Sequence, residues 1–321
     1  MYRSISAENI ARRTAGRQEV LSVIQPRERI TGITAAALTV LTVVWRTALL
    51  PQIGSQLGRY AAAYGCLAVW LIVWLWQRRR SRSVTARPIE GRAARPVGGA
   101  AAAAGVAILL QQLYDLMRFW MTRRLPAPSA QEISALDRLL FWLTLLCGIA
   151  GGLAMLWLGI CWLRGAAQDP LTGRAWLFVP MLWLWMRLAR YTVSYTFAVR
   201  FSESIFEFAL LALPLLFLFL LGRRSVDGDS VKAPTLVAVT LLAAVAGGSG
   251  VLSRCGMLLL YPQQAVNVVS IASLPDLLLA LFAVVVLRYW YTLPVREEEP
   301  EAEEAQLPGP ALMDPSSDSN A

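Results

Sequence analysis

Two pairs of charged residues lie at helical spacing inside long apolar stretches of this sequence. Asp115 is followed three residues later by Arg118, and Arg187 is followed three residues later by Arg190. Residues three apart share one face of an α-helix, so each pair presents its charges together. Glu207 is a further acid inside an apolar stretch. Carboxylates and guanidiniums in such places form ion pairs or bind charged solutes, and these five residues are therefore the candidate polar site.

Arg187 is the most costly of these residues to bury. It lies about 12 residues into its apolar stretch, which is about 18 Å along a helix and near the middle of a membrane. An unpaired arginine at that depth costs at least about 2.5–3.5 kcal/mol. The sequence therefore predicts an ion pair from this stretch to Asp115 or Glu207. Two interpretations stay open: a purely structural ion pair, or the lining of a cavity for an anionic ligand.

Helix-start signals offer a simpler role for three acids. A serine placed three residues before an acid matches a capping box or an N-cap with an acid in the first helical turn. Arg46 lies near the outer end of its stretch, where its long side chain would reach the lipid headgroups. Capping is the favoured interpretation for the pairs Ser129–Glu132, Ser204–Glu207 and Ser273–Asp276.

Several kinds of chemistry are excluded by what the sequence lacks. It contains no histidine, so it has no HExxH zinc motif, no histidine phosphorelay and no serine–histidine dyad. No phosphate-binding glycine loop occurs, and the four dispersed cysteines form no CxxC pair. The sequence thus predicts a protein that is not an enzyme and needs no metal or cofactor.

The hydropathy pattern indicates the elements that hold the polar residues. Apolar residues make up 56% of the chain, and a spanning helix needs roughly 20 predominantly apolar residues. The pattern predicts an all-α, polytopic membrane bundle of about eight transmembrane helices. Seven or nine remain alternatives, because residues 254–272 are too apolar for an ordinary loop and too interrupted for a clean span. The eight stretches are 32–50, 58–77, 97–121, 138–163, 175–197, 204–222, 233–253 and 273–291.

Basic residues predict the orientation of the chain. Twenty arginines and lysines fall on one side of the predicted spans and about seven on the other. Positive charge accumulates on the cytoplasmic side, so both termini are expected in the cytoplasm of a cell whose plasma membrane holds the protein. Lipid headgroups, rather than nucleic acid, explain the basic excess. Arginine outnumbers lysine 29 to 1, which indicates a GC-rich, bacterial genome.

Three regions follow from these patterns: an arginine-rich cytoplasmic tail at 1–31, a transmembrane domain at 32–292, and a disordered acidic cytoplasmic tail at 293–321. The leading functional hypothesis is transport or binding of a small solute, anionic in the favoured case, or of a lipid headgroup. The alternative is a non-catalytic scaffold, sensor or assembly protein that acts through its tails. Gly148 and Gly152 form a GxxxG motif that favours packing within the chain over a dimer interface, and the oligomeric state stays open.

Overall fold

Eight helices account for nearly all of the residues that the computed structural model describes. The structure describes residues 29–49, 53, 55–81, 86, 88–124, 135–166, 169–172, 175–195, 201–227, 232–260 and 274–292. The helices are α1 (Arg29–Leu49, ending in a π-helical turn at Trp45–Leu49), α2 (Gln56–Arg80), α3 (Arg95–Arg124), α4 (Ala135–Leu163), α5 (Phe178–Tyr195), α6 (Phe201–Asp227), α7 (Ala233–Leu260) and α8 (Leu274–Thr292).

The predicted fold class is confirmed. Seven of these helices are long and apolar enough to cross a membrane, and the exception among the eight is α5. This helix has 18 residues and includes Arg187 and Arg190, which lower its mean hydropathy. The protein is therefore a multi-pass helical membrane bundle, and α5 is the helix whose composition alone does not mark it as a span.

Neighbouring helices along the chain run in opposite directions. Gln77 near the end of α2 donates to Tyr291 near the end of α8 at 3.0 Å, and Thr31 near the start of α1 lies 3.3 Å from the same hydroxyl. Arg46 near the end of α1 bonds to Glu207 near the start of α6. We call the end that holds the first set the near end, and the end where α1, α3, α5 and α7 finish the far end.

Helix α7 forms the centre of the bundle. Every residue from Leu236 to Gly247 is buried, and α7 packs against α2, α6 and α8. A helix that is apolar on all faces needs neighbours or lipid all around it. Other helices expose apolar side chains such as Leu71 and Leu146, as expected of surfaces that face lipid.

Helices α3 and α4 approach each other through glycines. A Cβ on Gly159 would lie 2.5 Å from the Ala102 nitrogen, and one on Gly105 would lie 2.7 Å from the Gly152 carbonyl oxygen. No side chain fits at those distances, so the backbones are in direct contact. Gly148 also faces α3, against Gln112. The GxxxG motif therefore packs within the chain.

The connections at the near end are tied together by hydrogen bonds. Asp169, in the connection between α4 and α5, accepts from the backbone N–H of Ile89 at 2.9 Å and from that of Leu171 at 3.0 Å. The Tyr289 hydroxyl of α8 accepts from the Glu90 N–H at 3.1 Å. Burial raises the pKa of the Asp169 carboxyl above its ordinary value, although the two backbone donors act in the opposite direction. These bonds hold two connections against the end of α8.

Replacing Asp169 with asparagine is expected to destabilise the near end by roughly 1–3 kcal/mol, since one of the two accepting oxygens becomes an NH2 group that cannot accept, and one buried backbone N–H loses its partner. The effect depends on pH. Because the folded pKa is raised, the carboxyl's contribution to the free energy of unfolding is full below about pH 4 and is lost as pH rises through the folded pKa. The deficit of the variant should therefore be largest near pH 4 and shrink toward pH 7 in denaturant titrations. A deficit that grows with pH would contradict this.

Several predicted boundaries are corrected by the helices. The chain is already helical at Phe201, so the predicted start of α6 near residue 205 is wrong. Helix α7 continues to Leu260, so residues 254–260 belong to a span. The remainder of the ambiguous segment, the proposed cap at Ser129 and Glu132, residues 1–28 and residues 293–321 lie outside the described residues. Helix α8 ends at Thr292, at the predicted end of the transmembrane domain.

Candidate functional site

Charged side chains from all eight described helices gather at the far end of the bundle. Among the described side chains there, seven arginines stand against four acids, an excess of three positive charges. Their ion pairs fall into an inner layer, an outer layer and a peripheral pair. The members are Arg46, Arg59, Asp115, Arg118, Asp137, Arg138, Arg187, Arg190, Glu207, Arg254 and Asp276.

The inner layer is centred on an ion pair between α5 and α8. Arg187 Nη1 lies 2.7 Å from Asp276 Oδ1, and Arg187 Nη2 lies 3.2 Å from Asp276 Oδ2. The side chains are only 17% and 3% exposed. The Arg187 guanidinium also lies 4.8 Å from the centre of the Trp183 ring. Two parallel hydrogen bonds and a ring beneath the cation satisfy an arginine that would otherwise be costly at this depth.

This ion pair is recessed from the far end because α8 begins deep in the bundle. A Cβ on Gly247 of α7 would touch Asp276 and Ala280, which places Gly247 level with the start of α8. From Gly247, helix α7 continues thirteen residues toward the far end, to Leu260, which is about 20 Å at 1.5 Å per residue. From its contact with Gly247, helix α8 extends only about 6 Å in the same direction before it reaches its first residue. The inner layer therefore lies about 14 Å below the end of α7.

The outer layer joins α1, α6 and α7 through one carboxylate. Glu207 Oε1 lies 3.2 Å from Arg46 Nη2, and Glu207 Oε2 lies 2.6 Å from Arg254 Nη2. Arg46 belongs to the π-helical turn of α1 and stacks over the Phe206 ring at 5.1 Å. One carboxylate thus holds two guanidiniums, and all three groups are partly buried.

Asp115 of α3 lies at the depth of Arg187. Gln112 contacts Gly148, and Gly151 contacts Pro180. Asp115 lies three residues beyond Gln112 on α3, and Arg187 lies seven residues beyond Pro180 on α5. At 1.5 Å per residue, these offsets place Asp115 and Arg187 within about 2 Å of each other along the bundle axis. In the described part of the chain no ion pair joins Asp115 to an arginine. Its hydrogen bond comes from Gln111 Nε2 at 3.5 Å, while Arg187, Arg190 and Arg118 act on it electrostatically.

The peripheral pair is looser than the two layers. Arg190 Nε lies 3.9 Å from Asp137 Oδ1, and the two side chains are 37% and 34% exposed. The Arg190 guanidinium also lies 5.1 Å from the centre of the Phe141 ring. A pair this long and this exposed contributes little stability. Arg190 is therefore held in place mainly by its ring contact.

The structure brings the five predicted site residues to one end of the bundle but pairs them differently from the prediction. The expected ion pair from Arg187 to Asp115 or Glu207 is wrong, since Arg187 bonds to Asp276. Asp276 does lie in the first turn of α8, yet it is more than a helix-start residue. Glu207 bridges two arginines instead of capping α6, and Arg46 bonds to it instead of reaching the headgroups. Arg118, on α3, is exposed.

Two partners were missed by the sequence reasoning, Arg254 and Asp137. Arg254 lies in the segment that was interpreted as a break after the seventh span, and Asp137 lies just before the predicted start of the fourth. Polar residues at the edges of apolar stretches resemble ordinary loop residues. Arg254 lies seven residues after Gly247 and four residues after Gly250, so all three share one face of a helix. That spacing was the signal in the sequence that the seventh helix continues to Arg254.

Within the described residues, no group of three or more cysteine, aspartate and glutamate side chains is placed to hold a metal ion. Comparisons with protein-family models, with curated proteins and with solved structures found no match to this chain. Any functional inference must therefore come from the charged layers themselves.

Proposed function

We propose that the protein binds a small solute or lipid headgroup that carries an anionic group, and moves it across the membrane. The supporting observation is that one carboxylate, Glu207, is shared by the guanidiniums of Arg46 and Arg254. Positive charge at membrane depth is costly unless an anion neutralises it.

The depth of the inner layer sets the order in which an entering solute would meet the charged groups. Its Arg187–Asp276 pair lies about 14 Å below the end of α7, so a solute entering at the far end meets the outer layer first. Ion pairs between separate helices are suited to transport, because a solute that replaces one partner changes how those helices are held together.

We also propose that the near end faces the cytoplasm. Among the described residues of the near end, eleven arginines and lysines stand against three acids. The far end carries seven basic residues and four acids. The more basic end of a membrane protein is normally cytoplasmic, which would place the solute entrance on the opposite face.

Arg46→Gln is the first test of this function. Glu207 keeps Arg254 at 2.6 Å in this variant, so the bundle should still fold. We expect at least a tenfold weaker binding of the preferred probe, and a matching loss of uptake into proteoliposomes, because a charge-assisted contact is worth about 1.5–3 kcal/mol. The probes are phosphate, succinate, glycerol 3-phosphate, alanine and phosphoethanolamine, measured on purified protein in nanodiscs.

Arg223→Gln provides the matched control. Arg223 pairs with Asp227 at 3.4 Å at the near end, with both side chains 49% exposed. This control should bind and transport like the unaltered protein. If none of the five probes binds the unaltered protein, or if the control loses as much as Arg46→Gln, solute transport is refuted and a scaffold acting through its tails becomes the better hypothesis.

A further inference from the structure

The inner layer contains hydrogen-bond acceptors that the described chain does not satisfy. Gln111 is only 6% exposed, and its Oε1 atom is buried without a hydrogen-bond partner. Its Nε2 atom donates to Asp115 Oδ2 at 3.5 Å, which is at the long limit for a hydrogen bond. The carboxylate and the amide oxygen therefore both lack a good donor.

The orientation of the Gln111 amide follows from its neighbour. Turning the amide over would set Oε1 against the Asp115 carboxylate, placing two acceptors together. The observed orientation is the favourable one, and it leaves an acceptor oxygen on each of the two side chains. Buried acceptors without donors are rare in native proteins because each costs free energy. A group that supplies N–H or O–H donors would therefore be favoured at this position on α3.

Cationic groups lie across from these acceptors on α5. Arg187 and Arg190 both act electrostatically on Asp115. Arg187 is held by Asp276 at 2.7 Å, but the contact from Arg190 to Asp137 is 3.9 Å long and its side chain is 37% exposed. Arg190 has the looser attachment, so it is the arginine better able to turn to an incoming anionic group.

We propose that Gln111 and Asp115 bind the primary ammonium group of a zwitterion whose acid group lies against Arg190. This inference rests on the proposed function and names its ligand class. An ammonium group carries three donors and no acceptor, which matches two unsatisfied acceptors on α3. The acid group matches the arginine on α5. Free amino acids and the phosphoethanolamine headgroup of a lipid share this chemistry.

Ligands with only one of the two charges fit less well. A simple cation is repelled by Arg118, Arg187 and Arg190, and a simple anion is repelled by Asp115 and leaves the Gln111 oxygen unsatisfied. A quaternary ammonium carries the positive charge but has no N–H to donate. The site therefore distinguishes a primary ammonium from both its absence and its trimethylated form.

The test compares probes that differ only in the ammonium group. Alanine, propionate and N,N,N-trimethylalanine are measured for binding to the full chain in nanodiscs. We expect alanine to bind at least tenfold more tightly than the other two. Nanodiscs made of phosphatidylethanolamine or of phosphatidylcholine form a second arm, in which the headgroup is the ligand. Selective retention of phosphatidylethanolamine after delipidation identifies the lipid as the source, and selective binding of free alanine identifies a solute.

Two variants separate recognition from structure. Asp115→Asn and Gln111→Leu should reduce the alanine-to-propionate ratio, or the corresponding ratio between the two lipids, to near one. A loss of packing alone would weaken all probes equally and leave that ratio unchanged. Asp227→Asn, the partner of Arg223 at the near end, is the matched control and should keep the ratio of the unaltered protein.

The outcomes keep this inference distinct from the proposed function. If phosphate or succinate binds best and Arg46→Gln weakens it, the proposed function holds and the zwitterion inference is overturned. The inference is also overturned if Asp115→Asn and Gln111→Leu keep the selectivity of the unaltered protein. If no probe and no lipid binds, both proposals fail.

Discussion

Replacing Asp276 with asparagine should lower the free energy of unfolding by about 3–5 kcal/mol, the largest single-residue effect expected in this protein. The substitution preserves size but leaves the Arg187 guanidinium buried without its anion. Arg187 forms two hydrogen bonds with Asp276, whose side chain is 3% exposed, so water is a poor replacement for the lost carboxylate. Reversible unfolding in mixed micelles, followed by circular dichroism, measures the effect.

A double variant tests whether the cost comes from the uncompensated charge. Replacing Arg187 and Asp276 together with leucines should restore much of the stability lost in Asp276→Asn, because an ion pair in an apolar interior is often matched by well-packed apolar side chains. Asp227→Asn, which breaks an exposed pair, should cost at most about 1 kcal/mol. Equal losses in the control and in Asp276→Asn would contradict the buried role of this pair.

Replacing Gly159 with leucine should have the second largest effect, a loss of roughly 3 kcal/mol or more. Overpacking of a tight interior typically costs about 1–3 kcal/mol, and more where no neighbour can move. The atoms that a Cβ on Gly159 would meet include the Ala102 nitrogen at 2.5 Å and the Gly98 carbonyl oxygen at 2.7 Å. Both belong to the α3 backbone, so relief requires the two helices to separate.

Gly65→Ala is the control for this glycine substitution. In α2 no atom lies within 4 Å of the position that a Cβ on Gly65 would take. Alanine is a better helix former than glycine by roughly 0.5–1 kcal/mol, so this variant should unfold at the same or a slightly higher denaturant concentration. Substitution of Gly159 should therefore lower the free energy of unfolding, whereas substitution of Gly65 should leave it unchanged or raise it slightly. A similar loss in both variants would show that the α3–α4 contact is not the cause.

The α3–α4 contact also determines where the candidate ligand groups lie. Gly105 and Gly152 bring the helix backbones together, and Gln112, seven residues further along α3, packs against Gly148, four residues before Gly152 on α4. This register sets the height of Gln111 and Asp115 relative to α5. Separating the helices should therefore weaken ligand binding as well as stability, which makes Gly159→Leu unsuitable as a test of recognition alone.

Local composition was enough to predict the spans. An apolar stretch of about 20 residues is favoured in lipid whatever surrounds it, so each of the eight predicted stretches overlaps one of the eight described helices. The last stretch was predicted to end at residue 291, and α8 ends at Thr292. The cost of burying an arginine is equally local, and this is why Arg187 and its neighbours were recognised as a polar centre before any contact was known.

The partners of those charges could not be obtained in the same way. Arg187 and Asp276 are 89 residues apart in the chain, and Glu207 was credited with a cap because the matching serine stood three residues before it. Capping boxes, like other short motifs, describe only the adjacent backbone. They carry no information on an arginine from another helix.

The sequence by itself determined that this is a helical membrane protein with costly charges toward one end of the bundle, because hydropathy and charge burial act residue by residue. Only the tertiary structure decided that Asp276 holds Arg187, that Glu207 is shared by Arg46 and Arg254, and that Gln111 keeps a buried acceptor without a donor beside Asp115. Those pairings depend on the order, rotation and register of packed helices. Glycine contacts between segments that are distant in the sequence help to set how the helices pack. No local sequence pattern specifies which segments make those contacts.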